Sequence, residues 1–347
     1  MAWRRSIRQP GVAATLAAAL LFGAGTPLAK LLLANVSPWM LAGWLYLGSG
    51  IGLMLYRQVV GAPRVVLARV EVPWFAGALV AGGVVGPALL MLGLSGMPAS
   101  GASLLLNAEA VFTALLAWVA FRENFDRRIA LGMVAIVAGA VVIGWPGEAR
   151  FAGAGSLLAV LGACLAWAID NNLTRKVALA DASWIASMKG LVAGTVNLGL
   201  ALALGAAWPP LAHVLGAMLV GLFAYGVSLV LFVVGLRGLG TARTAAYFGI
   251  APFFGTLLAV ALGEPVSAAL LVAAALMMVG VWLHLTESHD HVHSHEALAH
   301  DHEHVHDEHH GHDHAGPVEG RHRHPHAHAP TTHGHAHFPD AHHPHRH

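Results

Sequence analysis

Apolar residues do not alternate with polar ones along most of this chain. They run in long blocks, and short connections holding proline, glycine or charge separate the blocks. Ten blocks stand out: residues 11–33, 38–56, 73–94, 99–121, 128–145, 153–173, 183–205, 211–235, 242–262 and 266–285. A helix needs about 20 mostly apolar residues to cross a bilayer, so each block predicts a transmembrane helix. Pro63–Arg64, Pro146–Gly147 and Trp208–Pro209–Pro210 supply the turns between them. A membrane barrel would show about ten-residue segments of alternating hydrophobicity, and these blocks are longer and more uniform.

The pattern stops at His289. From there to the end, 59 residues hold 23 of the 25 histidines and nine of the 18 acids. The first 288 residues carry only 16 Lys or Arg and nine Asp or Glu, too few to coat a water-soluble body of that size. The body is therefore expected in lipid. A single cysteine, Cys164, excludes an internal disulfide. No clustered basic face suggests nucleic acid as a partner.

Arg4, Arg5 and Arg8 precede the apolar stretch Val12–Gly25, which resembles a secretory signal; the many spans that follow favour a retained first helix. Alternate connections are strongly unequal in positive charge. One set holds Arg57, Arg64, Arg69, Arg122, Arg127, Arg128, Arg175, Lys176, Arg237 and Arg243; the other holds Arg150, with Lys30 near a helix end. Positive residues collect on the cytosolic side, which predicts a multi-pass inner (plasma) membrane protein with its N-terminus and its tail in the cytosol.

The body also repeats itself. "GLSGMPAS" at Gly93–Ser100 matches "GLRGLGTA" at Gly235–Ala242, and Glu123 in "AFRENF" answers Glu264 in "ALGEPV". Gly139 answers Gly280 at the same offset from those glutamates. The expected organisation is a first five-helix half over 1–148, a second over 149–288, and a disordered histidine-rich tail over 289–347. An odd number of spans per half inverts one half relative to the other, the arrangement of secondary transporters. The fold class is thus an all-α integral membrane protein of ten helices in two inverted five-helix repeats.

These residues also carry a resemblance. "FGAGTPLAK" at the end of the first helix, "GLSGMPASGASLL" between the third and fourth, the glutamates of "AFRE" and "ALGE", and the glycine-rich "GMVAIVAGAVVIG" and "ALMMVGVW" resemble the EamA-type proteins of the drug/metabolite transporter superfamily over about 285 residues. The resemblance implies a gradient-driven exporter of small solutes and leaves the solute open. One position departs from it: where the second half keeps Pro252, the first reads "LNAEAVF" and has Glu109.

An acid at mid-membrane costs about 2.5–3.5 kcal/mol or more, so Glu109 is read as a proton carrier or cation ligand facing a wet cavity rather than a neutral group bonded to a neighbour. Thr113 lies one turn along the same face. Asp170, Asn171 and Asn172 close the sixth span, either as a cavity wall or as a helix end that satisfies its own backbone. Lys189, six residues into the seventh helix, is a candidate counter-ion. Lys30 is a cavity candidate whose simpler reading is snorkelling. Asn107 and Asn197 are intramembrane amides, with interhelical bonding as their default role. Glu123 and Glu264 read as structural caps. No catalytic constellation appears, so an enzyme is not expected, and no cofactor is required.

In the tail, histidine recurs at every second position through His289, His291, His293 and His295, then His300, His302, His304 and His306. His309, His310, His312 and His314 follow, then His322, His324, His326 and His328, and His333, His335 and His337. Imidazole nitrogen suits Ni, Co, Zn and Cu. The segment lacks the apolar surface to offset ordering entropy. Three functions stay open: proton-coupled efflux of nickel, cobalt or zinc with the tail collecting metal; export of amino acids or other metabolites with the tail buffering or sensing metal; and a membrane-tethered metal store. Expected partners are membrane lipid, a small solute or metal ion, and a second copy of the chain.

Overall fold

The computed structural model describes residues 10–121, 127–144, 153–174, 177, 181–239, 244, 247–285, and in the tail 289–295, 298–304, 322–328 and 331–337, the tail by its backbone alone. Residues up to Glu287 form one compact unit and those from Ser288 another.

The apolar blocks are helices. In chain order they are α1 (Pro10–Leu32), α2 (Pro38–Val59), α3 (Val72–Ala78), α4 (Gly86–Ser95), α5 (Ala99–Leu105), α6 (Ala108–Phe121) and α7 (Arg127–Gly144). There follow α8 (Ala154–Thr174), α9 (Ala182–Ala203), α10 (Leu211–Gly221), α11 (Ser228–Leu239), α12 (Ala251–Ala261) and α13 (Ala268–Leu285). Among the described residues, eight segments are long and apolar enough to span a membrane, with two shorter apolar helices at Ala251–Ala261 and Ala268–Leu283. Ten segments thus stand where the sequence placed ten blocks; the opening residues of the ninth block lie outside the described residues.

Their outer surface is that of a body in lipid. On α7, Leu131, Val134, Val137 and Val141 form an exposed apolar stripe at helical spacing. In water so much exposed hydrocarbon would be a liability; against acyl chains it costs nothing. Inside the bundle, small residues let backbones approach. A Cβ added to Gly190 on α9 would lie 2.5 Å from the Gly50 nitrogen on α2. The pair α7–α13 is drawn together in the same way, with the Cβ of a Gly280 substitution 2.6 Å from the Gly132 carbonyl.

Two irregularities recur at equivalent places relative to the repeated Gly93 and Gly235 motifs. A π-helical segment, Leu79–Val85, joins α3 to α4, and a second, Leu222–Val227, joins α10 to α11. The fourth span breaks at Leu106–Asn107 between α5 and α6, and the ninth turns at Gly249–Ile250 before α12. Non-helical backbone at this depth is tolerated where protein or a polar cavity surrounds it.

The tail unit contains four extended segments, β1 (His289–His295), β2 (Leu298–His304), β3 (His322–His328) and β4 (Thr331–His337). β1 pairs antiparallel with β4, and β2 with β3. A period of two is strand spacing, so alternate histidines share a ladder face. Isolated two-stranded pairs are marginal in water, so the ladders express a local strand preference and not a packed core. His306, His309, His310, His312 and His314 lie outside the described residues.

Candidate functional site

The fourth span breaks just before Glu109, which puts this acid in the first turn of α6. Backbone N–H groups at a helix start favour a negative charge there. Asn171 of α8 donates from Nδ2 to Glu109 Oε1 across 2.8 Å. Asn171 falls on the same α8 stripe as buried Val160, Cys164 and Trp167, at helical spacing. Asn171 is nevertheless exposed, and Glu109 partly so. Asn171 lies in the last turn of α8, so the pair sits where the inward stripe meets the helix end.

The neighbouring residues hold a second polar group. Lys189 of α9 donates to Asp170 Oδ1, and to Thr174 Oγ1 at 3.0 Å. Thr174 donates to the same Asp170 oxygen at 2.8 Å. Asp170 and Lys189 are largely buried, with side-chain exposures of 12% and 15%, so each stands as the other's counter-charge. The Asp170 carboxylate occupies the place a side chain on Gly82 would fill. Gly82 lies in the first π-helical segment, where its carbonyl accepts from Tyr46 at 3.0 Å and from Trp167 Nε1 at 3.0 Å. The loosened turn thus exposes a carbonyl that ties α2 and α8 together beside the acid.

Aromatic rings flank this group. Tyr46 and Tyr225 have centroids 5.6 Å apart, and Phe22 meets Tyr225 edge-on at 5.9 Å. Tyr46 stands beside Asp170, since both approach Gly82, Tyr46 through its carbonyl. Asn172 donates to the Ala168 carbonyl at 2.9 Å and to that of Thr113 at 3.4 Å. Among the described residues, the buried Thr113 hydroxyl and Asn172 carbonyl oxygen have no partner. Asp170 has Lys189 as its ion-pair partner, whereas the Glu109 carboxyl meets an amide and, among the described residues, no cation.

The structure thus brings Glu109, Thr113, Asp170, Asn171, Asn172 and Lys189 to one place. It puts two other candidates elsewhere. Asn107 donates to the Leu104 carbonyl at 2.9 Å and toward Met277, bonding that closes the helix break. Lys30 donates to the carbonyls of Leu94 at 2.7 Å and Ser95 at 3.3 Å, at the end of α4. There it neutralises carbonyls left open by the helix end instead of snorkelling alone. Nearby, Glu264 accepts from the Ala99 and Ser100 N–H groups at 2.7 and 2.8 Å, a cap on α5 built from the other half of the chain. Glu123 lies outside the described residues. Among the described residues, no three His, Cys, Asp or Glu side chains converge as a metal site.

Several contributors carried no signal in the sequence. Gly82, Tyr46, Trp167 and Tyr225 are ordinary residues of apolar blocks until the fold places them. Arg57 was legible only as a loop charge, and its partner Asp181 was not singled out at all. Arg57, 6% exposed, donates to Asp181 at 2.6 Å, to Ser183 at 2.6 Å and to the Pro63 carbonyl at 2.7 Å. Asp181 caps α9 through the Trp184 N–H at 3.0 Å. Partial burial pushes its carboxyl up, but hydrogen bonds from Ser183 and Trp184 and the Arg57 charge outweigh that and hold it below the usual carboxylate range.

Known proteins agree with this architecture. A model of the EamA-like transporter family matches residues 9–145 and again 154–286. A protein of Methanothermobacter thermautotrophicus named "Uncharacterized transporter" is 28% identical over 293 residues, spanning 79% of this chain and 85% of the relative. A solved chain described as "Crystal structure of protein" superposes with a TM-score of 0.60 at 21% identity, over 78% of this chain and 95% of that one, and shares the fold.

Proposed function

The chain belongs to the EamA-like transporter family, and from that premise we propose that it is a secondary transporter exporting a small, singly positive organic solute in exchange for a proton. One observation carries the reading: Glu109 is an accessible intramembrane carboxylate held by an amide alone, while its neighbour Asp170 already has Lys189. A carboxylate within an apolar span and without a counter-charge is costly even when partly exposed, so Glu109 calls for a cation or a proton. Either one completes the charge balance, and the two exclude each other, which is the requirement for exchange. Tyr46 and Tyr225 add aromatic faces that favour an organic ammonium group. The halves would rock about the site to expose it to each side in turn.

The transition-metal reading keeps a specific support in the tail. His291 stands opposite His335 and His293 opposite His333 in one ladder, and His302 opposite His324 in the other. Cross-strand neighbours about 5 Å apart suit shared coordination of one ion. In this reading the tail gathers nickel, cobalt or zinc, and Glu109 passes the ion on.

Proteoliposomes holding the full-length chain separate the two. An imposed pH gradient should drive uptake of organic monocations by the wild type and not by Glu109→Gln. Uptake of Ni, Co or Zn that is lost both in Glu109→Gln and on truncation after Ser288 would select the metal reading. Transport by Glu109→Gln equal to wild type would sink both.

A further inference from the structure

We propose that Ser100, Ser103 and Thr256 form a second polar subsite that takes hydrogen-bonding groups of the solute when the bundle opens at the end away from Asn171. This rests on the transport reading of the Glu109 site.

Ser100 and Ser103 lie one turn apart on α5, each 1% exposed, and among the described residues neither hydroxyl has a partner. Buried hydroxyls are almost always bonded, and an unmade bond costs about 1–3 kcal/mol. Two on one helical turn mark a surface that is dry in this conformation and suited to another. The wall facing them comes from both halves. A Cβ on Gly255 of α12 would lie 2.6 Å from Ser103 Oγ and 2.7 Å from the Gly23 carbonyl of α1. Thr256 donates to the Ser100 carbonyl at 3.1 Å and to that of Pro252 at 3.0 Å. Backbone-to-backbone contact of this kind leaves no room for solute or water.

The seam is fastened at its rim. Gly263 ends α12 with φ 103°, a left-handed turn that glycine adopts without strain. That turn presents Glu264 to the start of α5, where it accepts both N–H groups. Glu264 is only partly buried, so its bonds can exchange with water. Asn171 is exposed while Ser103 is sealed, so the two ends of the bundle differ in access. In a carrier that alternates, groups sealed in one state become wet in the other. Three hydroxyls then offer donors and acceptors without charge. They suit hydroxyl, amide or carboxylate groups and add nothing for a purely hydrocarbon solute.

The test uses full-length chain in liposomes with Cys164→Ala, which removes the only cysteine. Ser103→Cys and Asn171→Cys are probed separately with a membrane-impermeant maleimide, with Glu264 intact and with Glu264→Gln. The expected result is that Asn171→Cys labels in both backgrounds. Ser103→Cys should stay inert with Glu264 intact and label at least about tenfold faster in Glu264→Gln, as a released latch shifts the population. If Asn171→Cys labels but Ser103→Cys is indifferent to Glu264, or labels readily with the latch intact, the subsite is wrong and the transport reading stands. If Asn171→Cys does not label, the transport reading itself fails. Should Glu264→Gln aggregate, Lys30→Gln loosens the same rim. As a second measure, Ser103→Ala should leave thermal stability equal or higher, because it removes an unpaired donor; a clear loss would overturn the proposal.

Discussion

Asn171 holds Glu109 at 2.8 Å from a helix face whose other members, Val160, Cys164 and Trp167, are buried. An exposed amide there is bonded to an acid at a helix break, and in the proposed transport reading this pair is where the solute's charge would be met. One turn along α6, the Thr113 hydroxyl has no partner among the described residues.

Glu109→Gln keeps the shape and removes the charge. Bonds to charged groups contribute about 1.5–3 kcal/mol, so solute affinity should fall about 10–100-fold. Exchange should also lose its dependence on the pH gradient. Asn171→Ala should weaken binding less and leave the pH dependence in place, since the carboxylate survives. Equilibrium binding and counterflow on the same preparations check both, and an unchanged pH dependence in Glu109→Gln would contradict the assignment.

Asp170 and Lys189 should behave as a unit. Lys189→Met alone strands a buried carboxylate, a loss of about 3–5 kcal/mol. Adding Asp170→Asn should restore most of it, because no charge is then left unpaired. Denaturant unfolding in detergent measures the cycle, and additive losses would mean that the two side chains act independently. Gly82→Ala should also destabilise, since its Cβ would occupy the place of the Asp170 carboxylate.

Much of this was legible in the chain itself, for identifiable reasons. Spans follow from block length, and the repeat from paired motifs such as those at Gly93 and Gly235. Glu109 was conspicuous because an acid in hydrocarbon needs a cause. Lys189 was readable as a counter-ion by depth alone, but its partner was not: pairing with Asp170 depends on how α8 and α9 pack. The π-helical turns left no trace, because Leu79–Val85 has the composition of any apolar helix. Glu264 read as a structural cap, but the N–H groups it serves lie 165 and 164 residues away, a pairing that only the packed fold reveals.

Acid should loosen the contact between α2 and α9 through Asp181. Its folded carboxyl is held below the unfolded value, so its contribution is fully present above the ordinary aspartate range near pH 3.9 and is lost as pH falls through the folded value. Between pH 7 and 5 the group should therefore leave stability flat. Below about pH 4, wild type should lose stability faster than Asp181→Asn, which starts lower because it has already lost the Arg57 ion pair. Thermal melts across pH 7 to 3 decide it; parallel curves would show that Asp181 does not drive the acid limb.

The tail should bind transition metal whatever the body carries. Full-length chain should take up Ni or Zn with an affinity that falls steeply below about pH 6.5, where imidazoles protonate and compete with the ion. Truncation after Ser288 should abolish that binding and leave folding of the body intact. The ladders add a sharper test. His291 and His335 are register partners, whereas His291 and His324 belong to different ladders. If one ion spans a register pair, His291→Ala and His335→Ala should couple by more than about 0.5 kcal/mol in metal affinity, while His291→Ala and His324→Ala should add. Titration calorimetry on wild type, the three single variants and the two double variants measures this. Equal coupling in both pairs would mean that the histidines bind metal as a loose collection, with no fixed partners across the strands.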